Sequence, residues 1–129
     1  MRLIKSAHAV YRTQYHIVWV TRYRRKILDK GVAQYLRTKL LEVRKYYPDW
    51  EYISVAIGMD HVHVHMVIPP KYAVSTVIEV LKENTSRHLS KKFRFLKDFY
   101  WDNERMWPAG FFVSTVGISE ETIRRYVGM

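Results

Sequence analysis

Asp60-His61-Val62-His63-Val64-His65-Met66-Val67-Ile68-Pro69-Pro70 is the stretch that decides the fold of this chain. Its residues alternate with a period of two, the mark of a β-strand whose faces differ. Val62, Val64, Met66 and Ile68 point one way, and His61, His63, His65 and Val67 point the other. One face therefore belongs to a hydrophobic core. The other carries three of the chain's six histidines on a few residues of backbone. Imidazole is the commonest metal ligand among side chains. Residues at i and i+2 lie about 6.5–7 Å apart along a strand, so two rings can converge on one ion, whereas His61 and His65 are about 13 Å apart. The candidate pairs are His61 with His63, or His63 with His65. For any one of these residues a hydrogen-bonded structural role is the plainer alternative. Few carboxylates lie nearby and no cysteine is present, which argues against a closed structural zinc site. Two nitrogens with open positions could instead hold an oxygen-loving divalent ion on a phosphate and polarise it.

The neighbouring segments build outward from this strand. Trp50 to Gly58 reads as a strand with Ile53, Val55 and Ile57 on its core face and Trp50, Tyr52, Ser54 and Ala56 facing outward. Gly58-Met59-Asp60 is a tight connection, so the two strands pair as a hairpin. Tyr15 to Thr21, rich in β-branched and aromatic residues, is a first strand whose periodicity does not settle its buried face. Asp29 caps a helix from about Gly31 to Tyr47, with Val32, Leu36, Leu40, Val43 and Tyr47 as its apolar stripe and Pro48 as its stop. Ser75 is the expected N-cap of a second helix ending near Lys92, with Val74, Ile78, Leu81, Thr85 and Leu89 as its stripe. Asp98 to Pro108 is an irregular, aromatic-rich connection. Phe111 to Val116 is a fourth strand, broken by Gly117. Ser119 caps a last helix, with Glu120 and Glu121 at its positive end. This order predicts an α+β, ferredoxin-like (RRM-like) sandwich: an antiparallel sheet with both long helices on one face, plus a C-terminal helix. The histidines, Trp50 and Tyr52 fall on the open face, the one that RNA-recognition modules use for stacking bases.

A chain of 129 residues is ordinarily one domain, here 1–129, and 48% apolar with 26% charged residues is a globular composition. The absence of cysteine excludes disulfides and thiol nucleophiles. No apolar run approaches the roughly 18 residues of a membrane span. No long apolar stretch follows Met1-Arg2-Leu3-Ile4-Lys5, so the expected compartment is the cytoplasm. The net charge is +10, and aromatic residues make up 15%, with ten tyrosines and four tryptophans. Cations with abundant flat rings suit single-stranded nucleic acid, whose phosphates need charge and whose bases need stacking surfaces. Two stretches concentrate them: Arg22-Tyr23-Arg24-Arg25-Lys26 after the first strand, and Lys91-Lys92-Phe93-Arg94-Phe95-Leu96-Lys97 after the second long helix. Arg22, Arg24, Arg25, Lys26, Lys91 and Lys92 are the candidate phosphate contacts, and a solvated loop is the bland alternative.

Covalent chemistry on a phosphodiester needs a side-chain nucleophile, and the residues alone hardly rank ten tyrosines. Tyr126 fits an apolar stripe with Ile123 and Val127, as a core residue would. Four blocks change its standing. Tyr15-His16-Ile17-Val18-Trp19-Val20-Thr21-Arg22-Tyr23-Arg24-Arg25-Lys26, Asp60-His61-Val62-His63, Gly110-Phe111-Phe112-Val113-Ser114-Thr115-Val116-Gly117 and Glu121-Thr122-Ile123-Arg124-Arg125-Tyr126 come in the order and spacing of a known family. The chain resembles, over nearly its whole length, the IS200/IS605-family transposases of the single-tyrosine HUH superfamily (His, hydrophobic, His).

The resemblance implies a single-stranded DNA transposase that cleaves and rejoins transposon ends. His61 and His63 match the metal pair and Tyr126 the nucleophile. A divalent ion, Mg²⁺ or Mn²⁺, is implied as cofactor, with no nucleotide cofactor. Tyr126 would form a 5′-phosphotyrosine link and release a 3′-OH. The implied partners are DNA ends carrying hairpins and a second copy of the chain in a homodimer. The chain departs from the pattern twice. The family's third ligand, a glutamine one helical turn after the tyrosine, would fall at position 130, past the last residue here. His65 stands where the family commonly has an aliphatic residue, and could shift the pair to His63 and His65. Two rival readings are a non-catalytic nucleic-acid-binding domain stacking bases on Trp50 and Tyr52, and a histidine-metal hydrolase using activated water.

Overall fold

A computed structural model describes residues 4–5, 10–11, 13–100, 104–115 and 128. The helix expected from Ser119, and with it Tyr126, lies outside the described residues. Two short strands, β1 (Ile4–Lys5) and β2 (Val10–Tyr11), pair with each other. The main sheet is built from β3 (Gln14–Val20), β4 (Glu51–Ile57), β5 (His61–Val67) and β6 (Phe112–Thr115) in the spatial order β4-β5-β3-β6. Every pairing is antiparallel. Helix α1 (Lys30–Glu42) joins β3 to β4, and α2 (Val74–Lys92) joins β5 to β6. This is the ferredoxin-like arrangement that the order of elements predicts.

The core lies between the helices and one sheet face. Ile17 and Trp19 of β3 and Val62, Val64 and Met66 of β5 are fully buried there against Leu36, Leu40, Ile78 and Leu81 of the helices. Asp29 caps α1 as expected: the Val32 N–H donates to Asp29 Oδ1 at 3.1 Å. A short 3₁₀ turn, Val43–Lys45, extends α1, and Val43 and Tyr47 continue its apolar stripe. The cap of α2 differs from expectation. Ala73 occupies the N-cap with no side-chain hydrogen bond, and Ser75 lies inside the first turn. The helix starts one residue before the serine, at Val74, and Pro69-Pro70 in the preceding turn has already broken the strand.

The larger difference is in β4. Tyr52 pairs with Met66 and Ser54 with His65, which leaves Ile53 as an extra residue in a β-bulge. A bulge reverses the alternation on its far side. Tyr52 therefore turns toward the helices, where its hydroxyl donates to the Leu40 carbonyl at 2.6 Å. Ile53, expected in the core, is 48% exposed. Beyond the bulge the reading holds, with Val55 and Ile57 packed on the core and Ser54 and Ala56 exposed. Trp50 precedes the strand altogether. It is buried, stacked 4.0 Å from Tyr47 and edge-on to Tyr72.

Candidate nucleic-acid interface and metal centre

The histidine row lies on the face away from the helices. Antiparallel register sets Val20 opposite His61, Val18 opposite His63 and His16 opposite His65. A fourth imidazole thus joins the three of β5. The His16 ring lies 4.3 Å from that of His65 and 5.4 Å from that of His63, and its Nδ1 is 3.2 Å from His63 Nε2. His65 Nε2 donates to Gln14 Oε1 at 3.0 Å. Sequence reasoning missed His16 because Ile17, Val18 and Trp19 are apolar in succession and hide the period. All three are fully buried, on both faces of the strand.

His61 is held at the tip of the hairpin. Its Nδ1 donates to Asp60 Oδ1 at 2.9 Å, and Asp60 Oδ2 accepts from Arg24 Nε at 3.0 Å. Burial pushes the Asp60 carboxyl upward, but hydrogen bonds from His61 and Arg24, with their charges, outweigh it and hold the group below the usual range for an aspartate. Gly58 makes room for the ring. A Cβ built on it would lie 2.3 Å from His61 Cε1. With Nδ1 engaged by a carboxylate, Nε2 is the nitrogen that His61 offers to an ion.

Among the described residues no three His, Asp or Glu side chains converge as a metal cluster. An ion at this row would find imidazoles as its donors among the described residues, a set that suits an open site. Of the two candidate pairs, His61 has the carboxylate orienter expected of a ligand, whereas His65 is tied to Gln14 and tilted against His16.

The turn after β3 borders this row. Thr21 N–H donates to the Asp60 carbonyl, and Leu28 N–H to that of Met59, each at 2.9 Å. Arg22 and Arg24 are partly buried in bonds within the protein, Arg22 Nε donating to the Arg105 carbonyl at 2.6 Å. Arg25 and Lys26 are exposed. The Arg25 guanidinium lies 5.5–5.9 Å from the ring centres of Tyr23, Phe99 and Tyr100, a cation set among flat surfaces. Lys91 and Lys92 are exposed at the end of α2, with Lys92 Nζ 5.7 Å over the ring of Tyr35 of α1. They belong to the helix layer, so of the two basic stretches only the turn from Arg22 to Lys26 borders the histidine row.

Trp50 and Tyr52 do not share it either. Both turn to the helix side, which removes the stacking platform expected for them.

A ferredoxin-like sandwich with imidazoles on the face away from α1 and α2, and with exposed cations beside them, is a sheet protein that suits a polyanion. The chain belongs to the IS200-like transposase family, whose model matches residues 9–129, and its activity class is DNA transposition. It is 33% identical over 128 residues to the transposase for insertion sequence element IS200 of Salmonella typhimurium, covering 94% of this chain and 78% of that protein. The crystal structure of a proposed transposase from Deinococcus radiodurans R1 superposes with a TM-score of 0.85 at 26% identity, covering 97% of this chain and 95% of the other. A REP-associated tyrosine transposase bound to a REP hairpin shares the fold, with a TM-score of 0.61 at 16% identity over 94% of this chain and 68% of that one. Among the described residues no helix is long and apolar enough to cross a membrane.

Proposed function

We propose that this chain is a metal-dependent, single-stranded DNA transposase that cleaves and rejoins transposon ends through Tyr126, working in the cytoplasm as a homodimer on hairpin-bearing DNA. The observation that carries the proposal is His61, seated between Asp60 and Gly58 on the face bordered by Arg25 and Lys26, in a chain of this family. His61 and His63 would hold the ion. A Mg²⁺ or Mn²⁺ ion there supplies Lewis-acid polarisation of a phosphate oxygen. The hairpin carried by the REP-bound structural neighbour supports a hairpin as the DNA feature recognised.

The protein's own residues account for the rest. The Tyr126 phenol oxygen attacks phosphorus and gives up its proton to solvent. An Oη–P bond forms as the P–O3′ bond breaks, and O3′ takes up a proton to leave as a free 3′-OH. Reversal by a 3′-OH rejoins strands, so one high-energy bond replaces another and no nucleotide cofactor enters. Arg25 and Lys26 supply phosphate contacts, and each contact steepens the salt dependence of binding.

One experiment tests this reading. Labelled single-stranded DNA containing a hairpin is incubated with the protein and Mn²⁺, and the products are separated under denaturing conditions. A protein-linked band is expected that disappears with a chelator and in Tyr126→Phe. An adduct that survives in Tyr126→Phe removes Tyr126 as the nucleophile. Free 5′ ends without an adduct mean hydrolysis by activated water, and retention without cleavage means a binding domain only.

A further inference from the structure

The cationic turn is strained in one place, and the strain points at the histidine strand. Tyr23 and Arg24 both have positive φ, 62° and 54°, although neither is glycine. Two successive left-handed residues with bulky side chains persist only where their surroundings hold them. Here the surroundings do so from several sides. Arg24 N–H donates to the Thr21 carbonyl at 2.9 Å and Thr21 Oγ1 to the Arg25 carbonyl at 2.8 Å. The Tyr23 hydroxyl bonds the Glu104 carboxylate, and Arg22 N–H donates to the Met106 carbonyl at 2.6 Å. What the turn achieves is the placement of Arg24 Nε at 3.0 Å from Asp60 Oδ2. The other oxygen of that carboxylate takes the proton of His61 Nδ1.

We infer that Arg24 is a positioning residue for His61: through Asp60 it fixes the imidazole with its proton on Nδ1 and its lone pair on Nε2. A phosphate contact needs a reachable guanidinium and no strained backbone, and the exposed Arg25 and Lys26 meet that need. Arg24 instead spends its Nε on a carboxylate already engaged with the ring. The guanidinium holds that carboxylate in place by one oxygen, so the other stays aimed at Nδ1–H. Outer partners of this kind orient metal-ligating histidines. The consequence for an ion rests on the function proposed above, whereas the placement of the ring does not.

The test reads the ring and the ion separately. Long-range ¹H–¹⁵N correlation on histidine-labelled protein reports which nitrogen of His61 carries the proton, and titration with Mn²⁺ alone reports affinity. Arg24→Gly removes the guanidinium while accepting the positive φ, so the turn survives. Arg24→Lys retains a cation within reach of Asp60. In Arg24→Gly the His61 signals are expected to move to a mixture of tautomers, and Mn²⁺ binding to weaken about tenfold. Arg24→Lys restores both in part, and Arg25→Ala leaves both unchanged while weakening single-stranded DNA binding. If Arg24→Gly leaves the His61 signals in place and lowers DNA affinity alone, Arg24 is a phosphate contact and the inference falls. If the unaltered protein binds no Mn²⁺, the metal reading falls, and the His61 signals still decide the role of Arg24.

Discussion

His16 Nδ1 lies 3.2 Å from His63 Nε2, a hydrogen bond between two imidazoles across the strand pair. His16 is buried and its ring lies tilted against that of His65, 4.3 Å away, which leaves it little freedom to turn away. It is therefore placed to orient His63 from behind, as Asp60 orients His61. Replacing His16 with phenylalanine keeps a ring of similar shape and removes the nitrogen. The variant is expected to fold, and its Mn²⁺ affinity and rate of adduct formation to fall about tenfold, the usual scale for an outer partner. Calorimetric titration with Mn²⁺ beside a denaturing gel checks both, and unchanged values would make His16 a packing residue only.

Tyr52 gives a prediction about stability. Its hydroxyl is held by the Leu40 carbonyl, and burial, opposed only by the charge of Arg44, pushes the phenol well above its ordinary 10.0. A group whose folded-state value is raised contributes stability that is present below the unfolded value and lost as pH climbs past it. The protein should therefore lose stability above about pH 10, in part through Tyr52. Tyr52→Phe is expected to cost about 0.5–1.5 kcal/mol at neutral pH. It should also flatten the alkaline limb and leave DNA affinity unchanged. Urea unfolding at several pH values measures the first two. A large loss of DNA binding would return Tyr52 to the open face.

These two residues mark where sequence is a good guide and where it is not. Alternation in β5 is clean, because Val62, Val64 and Met66 face a core while the intervening histidines do not. Its faces can be read directly. The stripes of α1 and α2 are equally plain, and four strands with two long helices in that order leave few alternatives. Tyr52 fails because an extra residue at Ile53 reverses parity, and Tyr52-Ile53-Ser54-Val55 contains no glycine to announce a bulge. His16 fails for the opposite reason: β3 is buried on both faces, so apolar residues fill both parities. The left-handed turn at Tyr23 and Arg24 is hard to read locally too, since besides its bonds to Thr21 it is held by Glu104 and Met106, about eighty positions away. Asp60 adjoins His61 in sequence, yet its pairing with Arg24 depends on that turn. The role expected for Tyr126 rests on resemblance, because periodicity alone reads it as core.

Gly58 supplies the last prediction. It carries no unusual backbone angle, so alanine is compatible with its conformation, but the new methyl would sit 2.3 Å from His61 Cε1 and 2.8 Å from both ring nitrogens. The imidazole must swing out, and doing so breaks its bond to Asp60. Because the ring lies at the hairpin tip and not in the core, Gly58→Ala should change stability by no more than about 1 kcal/mol. Mn²⁺ affinity should drop about tenfold or more as His61 loses its orientation. Gly31→Ala is the matched control. Its methyl meets nothing nearer than Asp29 Oδ1 at 3.9 Å, and it lies in the first turn of α1, so it should stabilise the protein by up to about 1 kcal/mol and leave the ion untouched. Thermal unfolding and Mn²⁺ titration of the two variants separate the outcomes. If Gly58→Ala binds Mn²⁺ as tightly as the parent, the seat that Gly58 makes for His61 does not orient a ligand.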